Sequence, residues 1–295
     1  MRIHAIRTGS VQIKTAQITG RGHGLARRVA PLFDESWSDW LPVYAFAIEH
    51  RDGVVLIDSG SNAGLKSLPR WHPYFRLAVR FEIEREQEVG PQLRTLGIGP
   101  RDVKTVVLTH MHIDHDGGLA DFTASEVLVS PGELTTASGF AGQIRGYLPQ
   151  RWPSGFDPRP LALTSEPYGP FPKSARVTPD GAVVAIPTPG HTRDHLSIVV
   201  DDGDAITILA GDASYDEAAL IAGLVDGVSG DETVALASLA KLRDLAASRP
   251  AVYLPTHDPR SAERLARRET LAGRSVAEVA SIVETVHTEP DRGAA

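Results

Sequence analysis

The residues best suited to chemistry crowd into one stretch, His110-Met111-His112-Ile113-Asp114-His115-Asp116-Gly117-Gly118, directly after a strand-like run at 105–108. An extended backbone sends residues two apart to the same side, so His110 and His112 can address one metal ion. Asp114 and His115 are adjacent and would normally point apart, but on a tightening loop both can reach a second ion nearby. Gly117-Gly118 then lets the backbone bend. So many imidazoles in one loop are hard to satisfy as core packing. Three later segments end apolar runs in the same way: Pro189-Gly190-His191, Gly211-Asp212 and Thr256-His257. Each alone reads as a buried histidine, a helix cap or a turn. Together they complete a set of five His and two Asp. The chain has no cysteine, so any metal must be held by imidazole and carboxylate.

The elements that must position these residues alternate along the chain. Short apolar runs at 43–48, 54–57, 105–108, 126–129, 183–186, 196–200, 205–209 and 251–254 are bounded by Gly, Pro, Asp or Ser and read as buried strands. Residues 2–14 read as a hairpin around Gly9-Ser10. Helical spacing follows Asp231, a helix is expected to open at Asp258-Pro259, and Ser275 with Glu278 forms a capping box for a terminal helix. The simplest layered solution is α/β: an αββα sandwich of two mixed β-sheets flanked by helices, as one domain over residues 1–295. Residues 137–175, rich in Gly, Pro and aromatics, read as an insertion that builds a substrate pocket, with Trp152 and Phe156 as candidate walls.

Composition narrows the function. Of the 295 residues 42% are hydrophobic and 23% charged, ordinary for a globular chain with an apolar core. A net charge of −7 disfavours nucleic acid as the main partner, because that binding needs clustered Lys and Arg. The N-terminus lacks an apolar h-region and no run of about 18 apolar residues occurs, so no membrane partner and a cytoplasmic location are expected.

With these residues set out, the chain resembles the metallo-β-lactamase superfamily, in order from about Val43 to His257. The run Leu56-Ile57-Asp58-Ser59-Gly60 resembles that family's strand ending in Asp-x-Gly. The resemblance implies that His110, His112 and His191 hold one zinc, that Asp114, His115 and His257 hold a second, and that Asp212 bridges them. Two Zn²⁺ per chain are implied, with Co, Mn or Fe as other candidates. Having no Cys but an Asp at 212, the chain is unlike the β-lactamase branches. Gly211-Asp212-Ala213-Ser214-Tyr215 is similar to lactonases that open N-acyl-homoserine lactones, in which a Tyr three residues after the bridging Asp points into the site. The resemblance thus implies a small-molecule lactone substrate, attack by a metal-bridging hydroxide, a hydrogen bond from Tyr215, and proton transfer through Asp114 as the catalytic carboxylate. Glyoxalase II-like thioester hydrolases share the ligand set, and Arg260, Arg264, Arg267, Arg268 and Arg274 keep that alternative open. An iron-dependent sulfur oxygenase and a non-catalytic binding protein are further readings. His195 is expected to be structural, Asp58 to orient a metal-bound imidazole or cap a turn, and Trp37 and Trp40 to pack, to line an acyl groove or to form a homodimer interface.

Overall fold

The computed structural model describes residues 1–271. The expected capping box at Ser275 lies outside the described residues. One mixed sheet contains β1 (Arg2–Ile13), β2 (Leu41–His50), β3 (Gly53–Ile57), β4 (Val79–Glu82), β5 (Val103–Val107), β6 (Glu126–Val129) and β7 (Arg159–Pro160). Its order is β4-β1-β2-β3-β5-β6-β7. The second is formed by β8 (Ala175–Arg176), β9 (Val183–Pro187), β10 (Leu196–Asp201), β11 (Ile206–Gly211) and β12 (Ala251–Pro255), ordered β12-β11-β10-β9-β8. Strands β3, β5, β6 and β7 run parallel, as do β11 and β12; the other pairs are antiparallel.

Side-chain alternation explains the layering. Along β2, Tyr44, Phe46 and Ile48 enter the cluster between the sheets, where they meet Ile198, Val200, Leu209 and Leu254. The intervening Ala45 and Ala47 face the other way, toward Val89 and Leu93 of the outer helix Val89–Thr95. Ile186, Val199 and Ile208 likewise face Leu239, Leu242 and Leu245 of the helix Glu232–Ser248. Strands apolar on both faces are thereby covered on both faces, and the layers run helix, sheet, sheet, helix.

Two local expectations need correction. Residues 2–13 form one long strand, not a hairpin. The register shifts between Arg7 and Ser10, and Gly9 has a φ of 95°, so the glycine makes a bulge that lets β1 stay paired with β2 while its second half also takes β4 as a neighbour. The helix expected at Asp258-Pro259 opens instead at Ser261. The Asp258 carboxylate is used elsewhere: it accepts from the backbone N–H groups of Arg260 and Glu217 and pairs with the buried Arg264.

The chemistry-bearing residues gather at the strand ends. Asp58 follows β3, His110 follows β5, His191 follows β9, Asp212 follows β11 and His257 follows β12. Backbone hydrogen bonds from Tyr44 N–H to the Thr256 carbonyl and from Leu196 N–H to the Thr109 carbonyl stitch the two sheets together here. The helix Glu232–Ser248 packs beside the His191 loop, and Ser238 Oγ donates to the Pro189 carbonyl at 2.6 Å. Asp231 caps this helix, accepting from the N–H groups of Thr233 and Val234 at 2.9 and 3.1 Å. Asp231→Ala should cost about 1 kcal/mol of stability. Urea unfolding will show this as a lower midpoint with an unchanged slope, and an unchanged midpoint would remove the cap from the account.

Candidate metal centre

All seven residues singled out from the sequence converge. His110 Nε2 lies 2.9 Å from His112 Nδ1, and His191 Nε2 lies 3.0 Å from the same atom. His257 Nε2 stands 3.6 Å from Asp114 Oδ2. Asp212 sits between the two groups: its Oδ2 is 3.4 Å from His191 Nε2 and 3.2 Å from His257 Nε2, and its Oδ1 is 3.3 Å from His115 Nε2. Two triads, His110 with His112 and His191, and Asp114 with His115 and His257, each bring their ligand atoms within 4.8 Å of one another.

The outer nitrogens decide what the inner ones can do. His115 Nδ1 contacts Asp58 Oδ2 at 2.8 Å, His191 Nδ1 contacts Asp226 Oδ2 at 2.9 Å, and His257 Nδ1 contacts the Pro42 carbonyl at 2.9 Å. These partners only accept, so each Nδ1 carries the proton. Thr109 Oγ1 donates to Asp58 and so accepts from His110 Nδ1 at 3.1 Å. Four Nε2 lone pairs therefore face inward, toward two carboxylates and one another. The single Nδ1 of His112 can offer a proton to only one of them. Buried and without partners, His115 Nε2 and Asp212 Oδ1 are direct signs of this deficit. The donor set fits two divalent ions. Nitrogens about 2.0–2.1 Å from a tetrahedral zinc stand about 3.3 Å apart, and the donor spacings here run from 2.9 Å to the 4.0 Å between His110 Nε2 and Asp212 Oδ2.

Electrostatics expresses the same demand for positive charge. Burial opposes charge on His115, His191 and His257, yet the carboxylates beside them outweigh it: Asp212 with Asp58 for His115, Asp226 with Asp212 for His191, Asp212 with Asp114 for His257. All three imidazoles are held above their usual range. Burial and the neighbouring imidazoles push His110 and His112 well below theirs. Asp212 is buried, which favours its neutral form, but His257 and His115 hold it well below the ordinary carboxylate range.

Several supporting residues have definite places. Asp58 accepts from Thr109 N–H and orients His115, as one sequence reading expects, and its φ of 57° is a strained backbone that turns the carboxylate under the site. His195 is structural: Nδ1 meets Thr188 Oγ1, Nε2 accepts the Asp212 N–H at 3.1 Å, and burial lowers its pKa to about 3. Asp226 was not singled out in the sequence, since nothing in Val225-Asp226-Gly227 marks a second carboxylate for His191. Gln17 was also missed; its Nε2 donates to the Tyr215 hydroxyl at 2.7 Å.

A cavity of about 1010 Å³ opens over the cluster, lined by His112, Asp114, His191, Asp212 and His257 at its floor. Tyr215 also lines it, with ring centroids 5.6 Å from His257 and 6.5 Å from His191. Trp71, Tyr74, Phe75, Ile144 and Tyr147 form much of the apolar wall. Trp152 and Phe156 are absent from that lining; they pack on the cluster between the first sheet and the helix Val89–Thr95, and Trp152 Nε1 donates to Asp116. Trp37 lies between Lys14 and Arg80, and Trp40 is 41% exposed; neither lines the cavity. Arg260, Arg264, Arg267 and Arg268 pair with Glu263, Asp258, Glu269 or Asp202 and do not line it either. Arg274 lies outside the described residues.

The family model of the metallo-beta-lactamase superfamily matches residues 38–257. The chain belongs to this superfamily. An N-acyl homoserine lactonase of Rhizobium radiobacter, AttM, is 28% identical over 274 residues, which is 88% of this chain and 94% of that protein. A probable metallo-hydrolase of Mycobacterium tuberculosis is 32% identical over 176 residues, 58% of this chain. That match spans only 56% of the mycobacterial protein's length. Among solved structures, an N-acyl homoserine lactone hydrolase with N-hexanoyl-L-homoserine at its catalytic metal centre superposes with a TM-score of 0.70 at 18% identity, covering 88% of this chain and 94% of that one. This likeness shows the fold. Among the described residues no helix is long and apolar enough to cross a membrane.

Proton linkage gives a test of the donor set. Protons held on His115, His191 and His257 must leave before a cation binds, so affinity should rise with pH through the neutral range. Calorimetric titration with zinc in two buffers of different ionisation enthalpy should report net proton release. Binding without proton release would mean that these imidazoles are not the donors. Asp58→Asn should weaken metal binding about 10- to 100-fold, because the amide no longer orients His115.

Proposed function

We propose that this metallo-beta-lactamase superfamily member is a dinuclear zinc hydrolase that opens the lactone ring of N-acyl-homoserine lactones. His110, His112 and His191 would hold one ion and Asp114, His115 and His257 the other, with Asp212 between them. Zinc suits imidazole and carboxylate donors, and cobalt, manganese or iron are served by the same set. The observation that carries the reading is Tyr215, three residues after Asp212, which lines the cavity with its ring beside those of His191 and His257. The curated lactonase AttM, aligned over most of both chains, supports it.

A pair of such ions polarises a carbonyl and brings the pKa of water from about 15.7 to about 7, supplying a nucleophile at neutral pH. The chain's residues do the rest. Tyr215 donates a hydrogen bond to the carbonyl oxygen as negative charge develops there. Burial raises its pKa well above the usual phenol value, so it stays protonated and able to donate. Asp114 lines the cavity and moves a proton to the ring oxygen as the C–O bond breaks. The acyl carbon gains the hydroxyl, the ring oxygen gains the proton, and the product is N-acyl-homoserine. The acyl chain lies against Trp71, Phe75 and Ile144, in a pocket to which residues 144–147 of the Gly- and Pro-rich stretch contribute.

One observation favours a second reading. Arg28, Arg145 and Arg193 line the cavity, and no carboxylate pairs with them among the described residues. A thioester on an anionic carrier, such as an S-acyl glutathione, would suit them. Kinetics on both substrate classes decides. Tyr215→Phe should keep its metal and lose about 10- to 100-fold in kcat on a homoserine lactone, less than the 10²–10³ lost with an oxyanion donor elsewhere. A wild-type preference for the thioester, with lactone turnover undiminished in Tyr215→Phe, would transfer the assignment to the thioester hydrolase.

A further inference from the structure

Gln17 is a buried polar residue that the mechanism so far leaves unused. It is 4% exposed, lies on the short helix Thr15–Thr19 and lines the cavity. Its backbone is held at both ends, N–H to the Lys14 carbonyl at 2.8 Å and carbonyl to the Gly227 N–H at 2.6 Å. A primary amide offers two N–H donors and one carbonyl acceptor. Gln17 Nε2 donates to the Tyr215 hydroxyl at 2.7 Å. Its Oε1 is buried and has no partner, so Tyr215 does not give up its proton to the glutamine. A phenol oxygen that accepts from Gln17 keeps its own proton to donate, and Tyr215 lines the same cavity as a second phenol, that of Tyr74.

The two phenols occupy different stations. Tyr215 lies beside the rings of His191 and His257, over the metal-ligand cluster. Tyr74 stands on the apolar wall, its ring 5.8 Å from that of Phe75 and three residues after Trp71. A ligand that leaves the cluster for the apolar wall meets Tyr74 second. In an N-acylated homoserine lactone the second acceptor along that path is the amide carbonyl.

We propose that Gln17 is a positioning residue that turns the Tyr215 hydroxyl to donate into the cavity, and that Tyr74, farther along the same cavity, recognises the amide carbonyl of the substrate. The inference rests on the lactonase reading and sharpens its substrate class. The site selects lactones that carry an acylamide over simple lactones, because a buried donor left without its acceptor penalises the analogue that lacks it.

Steady-state kinetics on N-hexanoyl-homoserine lactone and on γ-caprolactone, with calorimetric binding of the product N-hexanoyl-homoserine, tests this. Tyr74→Phe should raise KM for the acylamide lactone roughly three- to tenfold, the worth of one neutral hydrogen bond. It should weaken product binding by a similar factor and leave γ-caprolactone kinetics and metal content unchanged. Gln17→Glu, whose carboxylate would take the Tyr215 proton, should lower activity more than Gln17→Met, and in a Tyr215→Phe background neither should matter further. Equal effects of Tyr74→Phe on both lactones, or none on either, overturn the inference while the lactonase assignment stands. A wild-type protein that turns over no lactone overturns both.

Discussion

Four imidazole rings in this chain are tied by their outer nitrogens to acceptors, two carboxylates, a carbonyl and a threonine hydroxyl whose own proton goes to Asp58, and the whole site follows from that. The rings of His110, His115, His191 and His257 present lone pairs inward, to Asp212, Asp114 and one another. In a buried pocket such an arrangement is costly unless a cation answers it. The proton-holding tendency of His115, His191 and His257 is the response of the protein's own groups to the same field.

The fold's task is to hold those outer partners still. Each comes from the end of a strand or from a loop fastened to one: Asp58 after β3, Thr109 after β5, Pro42 at the start of β2, Asp226 in the loop ahead of the helix Glu232–Ser248. Two close approaches leave no freedom. At Gly211, with a φ of 58°, an added Cβ would lie 2.7 Å from His195 Nε2, and at Gly190 it would lie 2.7 Å from the Ala235 Cβ. These glycines let β11 pass under the histidine loop and let the His191 loop pack onto the helix. The apolar layers beneath are thus the support of a rigid polar site, as expected when ligands must be held to within a fraction of an ångström.

Much of this was legible in the sequence. The His110 to His115 stretch could be recognised because adjacent ligands in one loop leave a local pattern, and His191, Asp212 and His257 because each ends an apolar run. The layer order followed from strands apolar on both faces. What the sequence hid were relations across distance. Asp226 and Gln17 contact residues 35 and 198 positions away, and no spacing rule connects them. The bulge at Gly9 looked like a turn because a glycine before a polar residue marks either, and only pairing with β2 on both sides of it decides. Trp152 and Phe156 looked like pocket walls by composition alone, yet Trp152 is committed to Asp116 and both pack on the helix-covered side of the first sheet. The wall comes instead from Trp71, Tyr74 and Phe75, in a segment with no periodic signal, together with Ile144 and Tyr147 of the stretch 137–175.

If the inward lone pairs are the organising constraint, the protein should bind two ions as one unit, with Asp212 as the shared ligand. The most direct measurement is the metal content of protein equilibrated with zinc and freed of excess, for the wild type and for Asp212→Ala. The account predicts two zinc ions per chain in the wild type, and a loss at both sites together in the variant, because the carboxylate that joins the two groups is gone. One ion or none in the wild type, or two ions retained with full activity in Asp212→Ala, would contradict it.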